Sequence, residues 1–127
     1  MKNTVLFVCE HGSAKSVVAA AHFNRLAREA GLPYHAIARG WDIDDTLSPN
    51  AVNGLEEDGL ATEGDPIRLS PDDVANADKV IAFGEIPSEL RTDRHIELWN
   101  VPPVSGGYDA ARTAIVERIR NVIASLK

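Results

Sequence analysis

The run Cys9-Glu10-His11-Gly12-Ser13-Ala14-Lys15-Ser16 follows four consecutive β-formers, Val5 to Val8, and leads into the alanine-rich stretch Val17 to Phe23. Cys9 is the only cysteine of the chain. A short strand that ends in such a loop and then enters a helix brings three physical features together. The start of a helix carries unpaired N–H groups and a partial positive charge, which attract anions. Gly12 is free to take a positive φ, so successive N–H groups can curl into a concave nest. A thiol beside a helix start and a cation, here Lys15, is expected to lose its proton easily. A thiolate at the mouth of an anion nest suits attack on the central atom of a bound tetrahedral oxyanion. Lone cysteines at strand ends are elsewhere small buried hydrophobes, and serines such as Ser13 and Ser16 are often only helix caps. The loop as a whole favours chemistry.

The elements that must hold this loop alternate along the chain. Val5–Val8 reads as a buried strand. Ser16–Ala30 reads as a helix, with Ala19, Phe23, Leu26, Ala27 and Ala30 on one face and Gly31 and Pro33 as its stop. His35–Ala38 is a second strand. Ser48-Pro49 opens a helix through Asp58 that Gly59 ends, and Ser70-Pro71-Asp72-Asp73 repeats the start signal. Lys79–Phe83 and His95–Leu98 are further strands. Asp109 is placed to cap a last helix along Ile115, Ile119, Val122, Ile123 and Leu126. Alternating strands and helices imply crossovers and a mostly parallel sheet covered on both faces. Ligands bind such sheets at the carboxyl ends of the strands, where the loop from Cys9 to Lys15 lies.

A chain of 127 residues with 44% hydrophobic and 25% charged residues is expected to form one globular domain, residues 1–127. Its net charge of −6 argues against nucleic acid or an anionic membrane as partner. No signal peptide and no membrane-spanning run is apparent, so a cytoplasmic location is expected. One cysteine allows neither an internal disulfide nor a Cys-based zinc cluster. The four histidines, His11, His22, His35 and His95, show no i, i+4 pairing. No metal and no cofactor is therefore expected.

The segment VLFVCEHGSAKS resembles the low-molecular-weight protein tyrosine phosphatases and the arsenate reductases built on the same fold. Their signature is a cysteine, five residues, then Arg-Ser or Arg-Thr, after a hydrophobic strand. Cys9, the five residues Glu10, His11, Gly12, Ser13 and Ala14, and then Ser16 match it. His11 is similar to the arsenate-reductase-like branch, which often has Cys-x-His-Asn. The segments IARGW, SPNAVNGLEEDGL, LSPDDVANADKVIAFG and LWNVP extend the resemblance over most of the chain, but only the first segment is specific. The resemblance implies an α/β fold of three layers, with a four-stranded parallel sheet flanked by helices. It implies Cys9 as nucleophile, forming a thiophosphate or thioarsenate intermediate. The backbone N–H groups from Glu10 to Lys15 would bind the oxyanion, and Ser16 would hydrogen-bond the thiolate.

Three departures bear on function. Lys15 stands where the family has arginine, so charge is kept but the bidentate fork is lost. Glu10 brings a carboxylate to an anion site; it is expected to repel substrate or to turn outward and pair with Lys15. The family's Asp-Pro, whose aspartate protonates the leaving oxygen, is replaced by Pro103-Val104. Asp109 is the nearest acid and the candidate general acid, with His11 and Glu10 as further acids near the loop. Trp41 and Tyr108 are candidates to line a pocket mouth, and Trp99 is expected in the core. Three readings follow: a phosphomonoesterase of phosphotyrosine type with weakened activity, an arsenate reductase resolved by an external thiol, and a non-catalytic oxyanion-binding protein. The expected ligand is phosphate, arsenate or a phosphomonoester.

Overall fold

The computed structural model describes residues 3–62 and 64–127. Its strands are β1 (Thr4–Cys9), β2 (His35–Gly40), β3 (Lys79–Ala82) and β4 (Glu97–Leu98). Its helices are α1 (Lys15–Glu29), α2 (Pro49–Glu57), α3 (Pro71–Asn76), α4 (Ser88–Arg91) and α5 (Tyr108–Leu126), with one 3₁₀ turn at Val104–Gly106. The strands form one parallel sheet in the order β2-β1-β3-β4. This is the four-stranded parallel sheet flanked by helices that the sequence implies.

Strand β1 is central and buried on both faces, which explains its unbroken apolar run. Val5 and Phe7 point into one core with α1 and α5, while Leu6 and Val8 point into the other with Leu69 and Val74. Phe7 packs edge-on against Phe23 and meets Trp99, which is buried as expected. At the sheet edge, the side-chain amide of Asn24 accepts from Ala36 N and donates to Ala36 O, occupying groups that an edge strand leaves open. Ser48 and Ser70 cap α2 and α3 as the sequence signals, the second through a full capping box.

Several expectations need correction. The fourth strand is two residues long, because only Ile81 and Ala82 lie alongside Glu97 and Leu98. Asp109 does not cap α5: Gly107 occupies that position, and Asp109 lies in the first turn, exposed, beside Arg112 at 3.6 Å. Tyr108 does not face a pocket mouth near Cys9. Its ring packs on Gly54, where any Cβ would lie 2.2 Å from the ring, and its hydroxyl donates to Asp58 Oδ2 at 2.6 Å.

His22 is a buried member of this same cluster. It stands on the inner face of α1, 1% exposed, with Nε2 3.0 Å from the Tyr108 hydroxyl and 3.4 Å from Asp58 Oδ2. Arg112 donates to both oxygens of Asp58. The cluster ties α1, the end of α2 and the start of α5 together. Burial, aided by Arg25 and Arg112, pushes the His22 pKa down to about 4 despite the Asp58 carboxylate. Burial alone would raise Asp58, but the Tyr108 and Arg112 hydrogen bonds outweigh it and hold the carboxyl below its usual range.

His22 sets an acid limit on stability. Below about pH 6.5 the unfolded chain takes up a proton that the folded chain refuses until about pH 4. Stability from this group is therefore present above pH 6.5 and is lost as pH falls toward 4, by on the order of 3 kcal/mol. Urea unfolding at pH 7 and pH 4 should show the loss, and His22→Gln should remove that part of the difference.

Candidate active site

The loop between β1 and α1 is shaped by its carbonyl groups. Glu10 O accepts from Trp41 N at 3.0 Å and Asp42 N at 2.7 Å, His11 O from Asp44 N at 3.1 Å, and Ser13 O from Ser48 N at 2.9 Å. The segment that follows β2 thus draws these carbonyls to one side. In a trans peptide the next N–H points the opposite way, so the N–H groups of His11, Gly12 and Ala14 turn away from that segment. Among the described residues, no N–H from Glu10 to Ala14 has a hydrogen-bond partner. Gly12 has φ +61°, the left-handed torsion expected of it. Gly40, at the end of β2, lies against it so closely that a Cβ on Gly40 would stand 2.4 Å from Gly12 N.

Cys9 is 8% exposed, and its Sγ lies 3.0 Å from the Ser16 hydroxyl. Cys9 lines a cavity of about 360 Å³ together with Glu10, His11, Ser13, Ala14 and Lys15 from the loop, while Ser16 is buried behind it. Asp44, Ser48, Phe83, Pro103, Val104 and Ser105 complete its lining. Among the described residues Lys15 makes no ion pair, so its ammonium is available to the cavity. The structure therefore brings together all the loop residues singled out from sequence except Gly12, which supports the loop from behind.

Other expectations are not met. Asp109 does not line the cavity; it faces a separate groove with Asn50, Asn53 and Glu57. Trp41 packs over Gly84 and Phe83 takes the place foreseen for an aromatic wall. Glu10 does turn outward, but toward His11 rather than Lys15, with Oε1 3.7 Å from His11 Nε2. Sequence reading also missed Asp44. Its Oδ2 accepts from the buried Ser13 hydroxyl at 2.7 Å, and its Oδ1 lies 3.8 Å from His11 Nδ1. No local signal marks it, since it is 31 residues from Ser13 and arrives through the loop after β2.

His11 Nδ1 lies 2.7 Å from the Asp42 carbonyl oxygen, to which it donates. That bond raises the His11 pKa; slight desolvation opposes it, and the carboxylates of Asp44, Glu10 and Asp42 add to it. Glu10, His11 and Asp42 each offer a ligand atom within 4.8 Å of the others, all exposed. Nothing further marks them as a metal centre.

A family model described as low molecular weight phosphotyrosine protein phosphatase matches residues 4–96. The chain belongs to this family. The fold is similar to that of an arsenate reductase from Archaeoglobus fulgidus, with TM-score 0.79, 25% identity, and 94% of this chain and 98% of that one covered. It is similar to a low molecular weight protein tyrosine phosphatase from Bacillus subtilis, with TM-score 0.83, 22% identity, and 97% and 96% covered. It is also similar to an arsenate reductase in the phosphate-binding state, with TM-score 0.76, 23% identity, and 98% of each chain covered. No curated protein sequence matches the chain at a significant level.

The contact between Gly12 and Gly40 yields a test of the loop. Gly40→Ala should push the loop from its place, at a cost of about 2 kcal/mol or more from overpacking. If the loop is the anion site, phosphate should raise the melting temperature of the wild type and not that of the variant.

Proposed function

We propose that the protein is a cysteine-dependent phosphatase that hydrolyses a phosphomonoester through Cys9, with weakened catalysis. One observation carries this reading. The Cys9 thiol, with the Ser16 hydroxyl at 3.0 Å, lies at the foot of a loop whose Glu10, His11 and Ser13 carbonyls are tied away and whose N–H groups from Glu10 to Ala14 have no partner among the described residues. Sγ would attack phosphorus as the bond to the leaving oxygen breaks. The N–H groups from Glu10 to Lys15 and the Lys15 ammonium would hold the three non-bridging oxygens. Ser16 would donate to the thiolate, steadying it as nucleophile and, after water attacks the thiophosphate, as leaving group. The chain needs no cofactor for these steps. No helix of the described residues is long and apolar enough to cross a membrane. A cytoplasmic setting, where a single thiol stays reduced, suits the reading.

The weakening has two sources. A lysine cannot reproduce the arginine fork on two equatorial oxygens. The segment Pro103 to Ser105 lines the cavity where the resemblance leads one to expect an aspartate, and it carries no carboxyl group. Asp109 would have to leave its place beside Arg112 to act as general acid.

Arsenate reduction is the second reading, favoured by the likeness to the Archaeoglobus arsenate reductase and by His11 beside Cys9. With one cysteine, an external thiol would have to resolve the cysteine–arsenate adduct.

Purified protein should hydrolyse aryl phosphates, and Cys9→Ser should abolish the activity. Binding of phosphate without any turnover of aryl phosphate, or of arsenate plus thiol, would leave an oxyanion-binding protein instead. Lys15→Arg should increase kcat/KM by restoring the second hydrogen bond.

The absent acid makes a separate prediction. General acid catalysis supplies about 10²–10⁴-fold, so kcat/KM across substituted phenyl phosphates should fall steeply as the phenol becomes more basic. A shallow dependence that turns steep in Asp109→Asn, His11→Asn or Glu10→Gln would identify the acid instead.

A further inference from the structure

We propose that Glu10 and Asp44 make the cavity selective for phosphomonoesters that carry a positive charge a few bonds from phosphorus. The proposal rests on the reading of the Cys9 loop as an oxyanion cradle and adds to it the class of substrate.

The charges around the cavity are unevenly placed. Lys15 is the one fixed cation among its lining residues, and the phosphoryl group would occupy it. Glu10 and Asp44 line the same cavity, with His11 between them, 3.7 Å from Glu10 and 3.8 Å from Asp44. Asp44 is not a loose surface carboxylate. Ser13, itself 4% exposed and part of the loop, donates to it at 2.7 Å. A dianion alone meets two carboxylates, which Lys15 and a protonated His11 only offset. A substrate that brings its own cation to this side replaces repulsion by attraction.

The rest of the lining favours the same class. Phe83, Pro103 and Val104 are apolar, and Ser105 is uncharged. An aromatic side chain and carboxylates in the lining of one cavity suit an alkylated ammonium, which is attracted to both. A carboxylate-bearing substrate would meet no cation in the lining beyond Lys15 and His11. The cavity, at about 360 Å³, has the size of a small-molecule site and accommodates a phosphoryl group with a short cationic arm.

Calorimetry on the intact wild-type protein tests this with three probes: inorganic phosphate, phosphocholine, and the uncharged isostere of phosphocholine in which carbon replaces the quaternary nitrogen. Phosphocholine should bind about three- to tenfold more tightly than the isostere, the scale of one or two partly screened ion pairs. In the Glu10→Gln/Asp44→Asn double variant the ratio should fall to near one, while inorganic phosphate binds more tightly. Glu10→Gln alone, which keeps the Asp44–Ser13 bond, should lose part of the ratio. Equal binding of the two esters, with phosphate still bound, overturns the selectivity and leaves the cradle standing. So does a preference that survives both substitutions, because the cation would then sit elsewhere. Failure of all three probes to bind overturns the cradle and the selectivity together.

Discussion

The site depends on one constraint: the loop surrenders the carbonyl oxygens of Glu10, His11 and Ser13 to the segment Trp41 to Ser48. Free backbone would present donors and acceptors alike to a ligand. Here the Glu10, His11 and Ser13 acceptors are engaged on one side, so the N–H groups left free outnumber the free carbonyls. That asymmetry is bought by contact between two backbones, and it needs glycine at both Gly12 and Gly40. Strand pairing sets it up, because Cys9 lies opposite Gly40 in the register of β1 and β2. The parallel sheet therefore does more than carry the loop. It fixes which strand end lies beside which, and so which residues can tie the carbonyls.

Charge is superposed on this shape and is less committed to it. The N–H groups belong to the backbone, so substitutions among Glu10, His11, Ser13 and Ala14 change the potential of the cavity more than its form. Lys15 supplies attraction without direction. Glu10 and Asp44 supply repulsion that His11 moderates while it is protonated, a state favoured by the Asp42 carbonyl and the neighbouring carboxylates. The chain joins a cradle suited to tetrahedral oxyanions to a mouth that is acidic on one side.

Much of this was legible in the sequence where the signal is local. The buried strand, the thiol at its end, the glycine in the loop and the paired Ser-Pro starts are each a few residues long, and each lies where it was expected. What escaped depends on distant parts. Asp44 reaches Ser13 only because β2 lies beside β1. His22 sits beside Phe23 on a face recognised by its apolar residues, and its partners, Tyr108 and Asp58, come from two other helices. Asp109 satisfied the rule for a helix cap, yet Gly107, with φ +144°, turns the chain first and Tyr108 begins the helix. A capping rule read from side-chain type misses a start imposed by backbone torsion.

The altered lysine and the missing aspartate bear on different halves of the chemistry. An oxyanion cradle acts on the non-bridging oxygens, whose charge changes little between bound phosphate and a loose transition state. A general acid acts on the leaving oxygen, whose charge changes most. Keeping the first without the second preserves affinity for phosphate while making turnover depend on the leaving group's own ability to bear charge. A leaving group carrying a cation has that ability in part, since its positive charge stabilises the departing oxygen through space. A cationic arm would then serve at the acidic mouth and at the bond that breaks. The acid missing at Pro103-Val104 and the carboxylates of Glu10 and Asp44 are, in that sense, complementary changes to one electrostatic problem.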